Sequence, residues 1–225
     1  MSGPFAPKRV SPRRAVGLRP ALQTLMLTTA CCVPAHAEER TVAPRGGLEA
    51  KLEYCNTCHG LSGQGYRGYF PMPRLAGQSP QYIESQLRAF IERRRTNPIM
   101  AKVAQVLSPS MITGLAAHFK ALDPMPIGGA PRGSLALGKQ IFAEGLPESN
   151  VPACSACHGP EGRGQHEIPR LAGQLYEYTV AQLTNWSKVR AHGPVAETSE
   201  IMVPAARNLT KSQMEALAAY VSFLH

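Results

Sequence analysis

The sequence predicts an all-α protein made of two tandem copies of one small unit. Three observations predict it. Apolar residues recur at helical spacing and alternating strand patterns are absent. A set of short motifs occurs twice in the same order. A Pro- and Gly-rich stretch, residues 123–132 (DPMPIGGAPR), separates the two sets as a linker should.

The chain begins with a segment that reads as a signal peptide, residues 1–37. Lys8, Arg9, Arg13, Arg14 and Arg19 form a basic start, and residues 21–33 (ALQTLMLTTACCV) an apolar stretch too short to span a bilayer comfortably. Ala35-His36-Ala37 supplies small residues for cleavage after Ala37. Thr28 is a poor residue ahead of a lipidated Cys31. Arg13-Arg14 lacks the apolar continuation of a twin-arginine signal, so a plain secretory route is expected. Five of the 24 Lys and Arg precede the cleavage site and all 15 acids follow it, which leaves 19 against 15, a net +4 rather than +9. The high pI therefore belongs mostly to the leader, and a nucleic-acid partner is not expected. Cys31 and Cys32 leave with it; Cys55, Cys58, Cys154 and Cys157 stay.

The expected domains are residues 38–122 and 133–225. In the first, CNTCHG, PRLAGQ, SQLRAF, IMAKVAQVLS and GLAAHF follow one another; in the second, CSACHG, PRLAGQ, AQLTNW, IMVPAARNLT and ALAAYV. Residues 45–54 and 135–143 read as opening helices ahead of each Cys pair. Ser79-Pro80 gives an N-cap and first-turn proline for a helix to about residue 94, with 175–188 as its counterpart. Ser108-Pro109 starts the last helix of copy one, and Thr210 with Gln213 makes a capping box for that of copy two. Leu115, Phe119 and Leu122, and Leu217, Tyr220, Val221 and Leu224, recur at helical spacing.

Cys55-Asn56-Thr57-Cys58-His59 and Cys154-Ser155-Ala156-Cys157-His158 match C-x-x-C-H, the signature of c-type haem attachment. At i and i+3 of a helical turn both thiols reach the two vinyl groups of one haem, and the adjacent histidine lies under the iron. Disulfide and zinc readings fit this spacing less well. Two covalent haems also explain how cores with only 6% aromatics are filled. Met100 and Met202 are the methionines at matching places, each seven residues before an aligned leucine (Leu107, Leu209), in what reads as a loop before the last helix. They are the candidate sixth ligands, since a thioether raises the potential and closes the coordination sphere. Met111 and Met214 read as core, and Met72 and Met125 fit no repeat position. His118 aligns with Tyr220, which argues against two bis-histidine centres, and His166, His192 and His225 read as surface or structural. A backbone carbonyl near the proximal imidazole, in the segment opened by Pro73 or Pro169, is expected to fix its tautomer. Leu75 and Leu171 are expected to press on the haem, and Arg74 and Arg170 to pair with its propionates.

With these motifs the chain resembles the di-haem cytochrome c4 family over nearly all of its length beyond the leader. The doubled PRLAGQ, the IM methionine segments, GKQIFAEG and the FLH terminus carry the resemblance. It implies two class I cytochrome c domains related by a pseudo-twofold axis, each wrapping one covalent haem, with propionates near the domain interface. It implies iron ligation by His59 and Met100, and by His158 and Met202. It implies an electron carrier of the bacterial periplasm, peripheral to the inner membrane, taking electrons from a quinol-oxidising complex towards a haem–copper oxidase. The family often has Lys where Arg74 and Arg170 stand. The alternatives are a haem subunit of a dehydrogenase of the flavocytochrome c sulfide dehydrogenase type, and a di-haem peroxidase, against which two equivalent methionines argue. Tyr66, Tyr69 and Phe70 in copy one face Glu161, His166 and Glu167 at the corresponding places in copy two, so the two haems are expected to differ in potential.

Overall fold

The computed structural model describes residues 45–190 and 198–225. The expected leader and His192 lie outside the described residues. Ten α-helices and isolated bridges, with no extended strand, make up the regular structure of the described residues.

Copy one opens with α1 (Arg45–His59). Leu48, Leu52 and Cys55, at i, i+4 and i+7, turn towards its core. The helix does not stop at Tyr54 but carries the whole Cys-x-x-Cys-His segment, because nothing between Leu48 and His59 breaks it. A loop then leads to α2 (Pro80–Ile91), with a proline in its first turn and Ile83, Leu87 and Phe90 along one face. Ser79 stands at the N-cap but does not cap; its hydroxyl donates to the His166 carbonyl of copy two. Helix α3 (Pro98–Gln105) is capped by Asn97, whose side chain accepts from the Ile99 and Met100 amides. Helix α4 (Pro109–Ala121) is capped by Ser108 as the sequence predicts. It buries Ile112, Leu115 and Phe119 against Ile83 and Leu107.

Copy two opens with α5 (Leu135–Glu144), ended by Gly145 at φ 74°, a left-handed conformation that glycine adopts at little cost. One 3-10 turn (Pro147–Ser149) and a Leu146–Val151 bridge follow before α6 (Ser155–His158). The stretch expected as one helix over 175–188 is two, α7 (Tyr176–Thr184) and α8 (Trp186–Val189). Asn185 interrupts it, its side chain donating to the Ala181 carbonyl at 3.1 Å. Helix α9 (Thr198–Asn208) precedes α10 (Lys211–Phe223), where Thr210 and Gln213 form the predicted capping box in both directions. Met100 and Met202 therefore sit on short helices, α3 and α9, rather than in loops.

The last helix of copy two buries Met214, Leu217 and Val221 against Ile141, Phe142 and Leu209. Helices α5 and α10 pack tightly at Gly138, where a Cβ would stand 2.0 Å from the Ala216 carbonyl oxygen. Cys55 and Leu75 line the first core, and Cys154 and Leu171 the second. Each attachment segment is thus rooted in its own hydrophobic cluster. Met111 packs on the first core and Met214 lies within the second, as read from sequence. No single helix among the described residues is long and apolar enough to cross a membrane.

Candidate functional site

Two near-identical centres stand at the C-terminal ends of α1 and α6. His59 and His158 are 7% and 6% exposed. His59 Nδ1 lies 2.9 Å from the Pro73 carbonyl, and His158 Nδ1 2.9 Å from the Pro169 carbonyl. A carbonyl can only accept, so the proton sits on Nδ1 and Nε2 keeps its lone pair. Burial holds both imidazoles below their ordinary pKa, more than the carbonyl contact restores. At His59 the nearby Arg95 guanidinium pushes the same way. Both rings are neutral at physiological pH, the state a metal ligand requires.

The surrounding loops match bond for bond. Gly65 and Gly164 amides donate to the His59 and His158 carbonyls, each at 2.8 Å. Gly63 and Gly162 carbonyls each accept two amides, from Leu75 and Ala76, and from Leu171 and Ala172. These bonds bring Pro73 and Pro169 beside the imidazoles. Cys58 and Cys157 are exposed, Cys55 and Cys154 half-buried, and none of the four is in a disulfide. Burial raises the Cys55 thiol, and pushes Cys154 up to about 11. Met100 and Met202 are half-buried, and the Met100 amide is pinned at 2.9 Å to Asn97 Oδ1.

The PRLAGQ segments also join the copies. The Arg74 amide donates to Gln174 Oε1 at 2.9 Å, and Gln174 Nε2 donates back to the Arg74 carbonyl at 3.0 Å. The Arg170 amide donates to Gln78 Oε1 at 2.9 Å, and Gln78 Nε2 to the Arg170 carbonyl at 2.7 Å. Each glutamine clasps the peptide one residue beyond the other copy's proline. The sequence reading missed this role, although the glutamine that closes both PRLAGQ motifs was the signal for it.

The arginine side chains face inward too. Arg74 and Arg170 are 2% and 5% exposed. Arg74 is engaged within the protein, its Nε by the Ala76 carbonyl, Nη1 by the Pro124 carbonyl and Nη2 by Asp123 at 3.3 Å. Burial, with repulsion from Arg170, lowers its pKa to about 10 although Asp123 opposes this. Arg170 Nε donates to the Ala172 carbonyl, but its Nη2 is buried without a hydrogen-bond partner and stands 3.6 Å from Asp123. His225 Nε2 is also 3.6 Å from Asp123, and His118 lies edge-on to Phe119. Pro73, Leu75, Pro169 and Leu171 are half-buried around the two centres.

These residues fit a covalent haem in each copy. Paired thiols one helical turn apart and a neutral histidine with a free Nε2 in each copy, and in copy two a buried guanidinium nitrogen with no hydrogen bond, are what such a group would meet.

Comparison with known proteins agrees. The family model described as cytochrome c matches residues 135–224. Cytochrome c-552 of Acidithiobacillus ferridurans is 39% identical over 80% of this chain and 79% of its own. Cytochrome c4 of Thiocapsa roseopersicina is 36% identical over 80% of this chain and 92% of its own. The solved cytochrome c4 of Acidithiobacillus ferrooxidans superposes with a TM-score of 0.66 at 38% identity, covering 76% of this chain and 99% of that one. Reduced recombinant cytochrome c4 from Pseudomonas stutzeri gives 0.69 at 28% identity, covering 81% and 100%. Two covalent haems, two class I domains and this likeness place the chain in the cytochrome c4 family of di-haem electron-transfer proteins.

Proposed function

We propose that the chain is exported to the periplasm and carries single electrons there between respiratory partners, from a quinol-oxidising complex towards a haem–copper oxidase. Cys55 and Cys58 hold one haem, and Cys154 and Cys157 the other. His59 with Met100, and His158 with Met202, would ligate the two irons. The observation that supports this reading is the repeated Nδ1-to-proline-carbonyl bond, which fixes the tautomer and leaves Nε2 of each histidine, next in the chain to a cysteine pair, free as a ligand.

The haem supplies a one-electron iron couple when bound. The chain's own residues do the rest. Pro73 and Pro169 hold the Nδ1 proton, so neither histidine turns or titrates as charge moves. Leu75 and Leu171, rooted in the two cores, keep water from the centres. With Met100 and Met202 as their second protein ligands the haem irons would have no open site, and the chemistry they supply would be electron transfer alone. The unequal rims, aromatic in copy one and charged in copy two, support unequal potentials.

The test is an optical redox titration of protein matured in a periplasm, with carbon monoxide added to the reduced form. Two low-spin haems per chain, unreactive to carbon monoxide and separated in potential, are expected. Carbon monoxide binding to either haem would overturn closure by methionine, and superimposable titrations would remove the potential gap.

A second reading is favoured by specific relatives. Two thiosulfate dehydrogenase electron acceptors, from Stutzerimonas stutzeri strain A1501 and Thiomonas intermedia strain K12, are 33% and 35% identical to this chain, over 85% and 77% of their own lengths. On this reading the chain accepts electrons from a sulfur-compound dehydrogenase, docked peripherally at the membrane with it. Copurification of a stable dehydrogenase partner would select this reading over the mobile carrier.

A further inference from the structure

The histidine bond and the glutamine clasp meet in one peptide group. The Pro73 carbonyl that accepts from His59 Nδ1 at 2.9 Å and the Arg74 amide that donates to Gln174 Oε1 at 2.9 Å belong to the same planar unit. In copy two the Pro169 carbonyl accepts from His158 Nδ1 at 2.9 Å, and the Arg170 amide of the same peptide donates to Gln78 Oε1 at 2.9 Å. Each copy therefore holds a chain from imidazole to peptide to glutamine, and the glutamine belongs to the other copy.

The surroundings fix which way each glutamine amide points. Gln78 Nε2 donates to the Arg170 carbonyl at 2.7 Å and Gln174 Nε2 to the Arg74 carbonyl at 3.0 Å. A flipped amide would set NH2 against N–H at one end and oxygen against oxygen at the other. Gln174 Oε1 takes the Leu175 amide as well, at 3.0 Å, which holds it in the same sense. Gln78 and Gln174 are 4% and 6% exposed, so water does not compete for the amide end of either chain. The Arg74 and Arg170 side chains turn back to the Ala76 and Ala172 carbonyls, and only their backbone takes part.

A peptide group is conjugated from nitrogen to oxygen. When its N–H donates to an oxygen, charge moves onto its carbonyl, and in such a chain each bond strengthens the next by about 10–30%. A more negative carbonyl accepts more strongly from Nδ1–H, and a histidine held that way is more basic at Nε2. A more basic ligand favours ferric over ferrous iron, which fixes the direction: the glutamine of one copy lowers the potential in the other. An interface contact needs only that buried amides be satisfied. Here the satisfied amide is the one joined to the histidine's own acceptor, and it is so twice.

We propose that Gln78 and Gln174 are positioning residues for electron transfer, each tuning the iron of the opposite copy through a single peptide group. This rests on the two-haem assignment. Gln174 acts on His59 through the Pro73–Arg74 peptide, and Gln78 on His158 through the Pro169–Arg170 peptide. PRLAGQ thus supplies both ends of the device: its first two residues give the peptide, and its last gives the acceptor for the peptide of the other copy. Neither copy sets its own potential alone.

The test uses reduced holoprotein with 15N-labelled histidine and follows the Nδ1–H proton resonances of His59 and His158. They are compared with those of Gln174→Met and Gln78→Met, a side chain of similar length that cannot donate and accepts only weakly. A pyridine haemochrome assay first counts the haems. Fewer than two per chain in the unmutated protein overturns the two-haem assignment and the tuning with it, whereas two haems with unmoved resonances overturn the tuning alone. Gln174→Met is expected to move the His59 proton upfield and leave that of His158 in place. It should favour reduction of one haem by about two- to fourfold, ~18 to ~36 mV at ~59 mV per tenfold for one electron. Gln78→Met is expected to do the same to His158 and the other haem. Both protons moving together in each variant, as a general loosening between the copies would cause, overturns the proposal, and so does movement of the variant's own histidine alone. If the methionine variants do not mature, Gln174→Glu and Gln78→Glu keep an acceptor oxygen and add charge to it. The opposite copy's proton is then expected to move downfield, and an unmoved proton overturns the proposal.

Discussion

The two copies share a motif order but build the run-up to their histidines differently. In copy one a single helix of 15 residues, α1, runs through both cysteines to His59. In copy two α5 ends at Gly145, a bridged turn follows, and a short α6 carries Cys157 and His158. The packing of the opening helices differs accordingly. Helix α5 meets α10 backbone to backbone at Gly138, whereas in copy one Gly114 of α4 faces the flexible end of Leu48. The rims differ as well: Leu61, Tyr66, Tyr69 and Phe70 are 88%, 61%, 93% and 70% exposed in copy one, while copy two exposes Glu161, Arg163, His166 and Glu167. What does not differ is the bond from histidine to proline carbonyl. The lesson is that the iron-facing geometry is held by a few local bonds, and that the scaffold and docking rim vary around it.

The sharpest way to break the comparison is at the sixth ligand. Met100→Ala and Met202→Ala should each turn one closed haem into one that binds carbon monoxide, leaving the other inert. Reduced-minus-carbon-monoxide spectra would show one reactive haem per chain in each variant, and two or none in either would end the equivalence.

Packing should separate the copies next. Gly138→Ala forces a methyl onto the Ala216 carbonyl and should cost about 3 kcal/mol. Gly114→Ala asks only that Leu48 shift, and helix propensity offsets that, so its net effect should lie within about 1 kcal/mol of zero. Denaturant unfolding of the two holoprotein variants measures both, and equal losses would erase the difference.

The clasp should treat the copies alike. Gln78→Ala and Gln174→Ala each leave a buried amide and carbonyl without their partner, at about 2 kcal/mol apiece. Similar falls in stability are expected, with the potential shift of each centred on the opposite copy's haem. A shift confined to the variant's own copy would contradict the cross-copy arrangement.

The smallest effect is at the Arg67–Glu177 pair, which joins the copies with Arg67 Nε 3.0 Å from Glu177 Oε1. Burial raises the Glu177 pKa, but the Arg67 bond and charge outweigh it and the carboxyl sits below its ordinary value. Its stabilisation is thus present above the unfolded carboxylate value of about 4.3 and is lost as pH falls through the lower folded value. Both side chains are about a third exposed, so Arg67→Ala should cost under about 1 kcal/mol at neutral pH and less still in acid. Melting temperatures at two pH values check the sign.

Much of this was legible in the sequence where the cause is local. Ser108 and the Thr210–Gln213 box announce their helices because a cap bonds amides within three residues. The attachment motifs and their prolines were readable for the same reason. The methionine helices were missed although Asn97-Pro98 is itself a cap and first-turn proline. The continuation of α1 through CNTCH was missed although the motif contains no breaker, while Gly145, Pro147 and Pro152 mark copy two as different. The repeated glutamine, Gln78 and Gln174, was visible in the sequence, but its partner in the other copy was not. The peptides that Gln78 and Gln174 clasp lie 92 and 100 residues away in the other copy.

The reciprocal glutamines also set an order of events during synthesis. A chain emerging N-terminus first completes CNTCH and the first PRLAGQ long before Gln174 is made. The peptide beside His59 therefore stays unfastened until the second half arrives, although the first attachment site is already whole. The clasp on copy one closes only when Gln174 of copy two reaches the Arg74 peptide. Copy two has no such interval, because Gln78 is waiting for the Arg170 peptide from the moment it appears. The same four hydrogen bonds that make the finished molecule nearly symmetrical thus make its assembly one-sided.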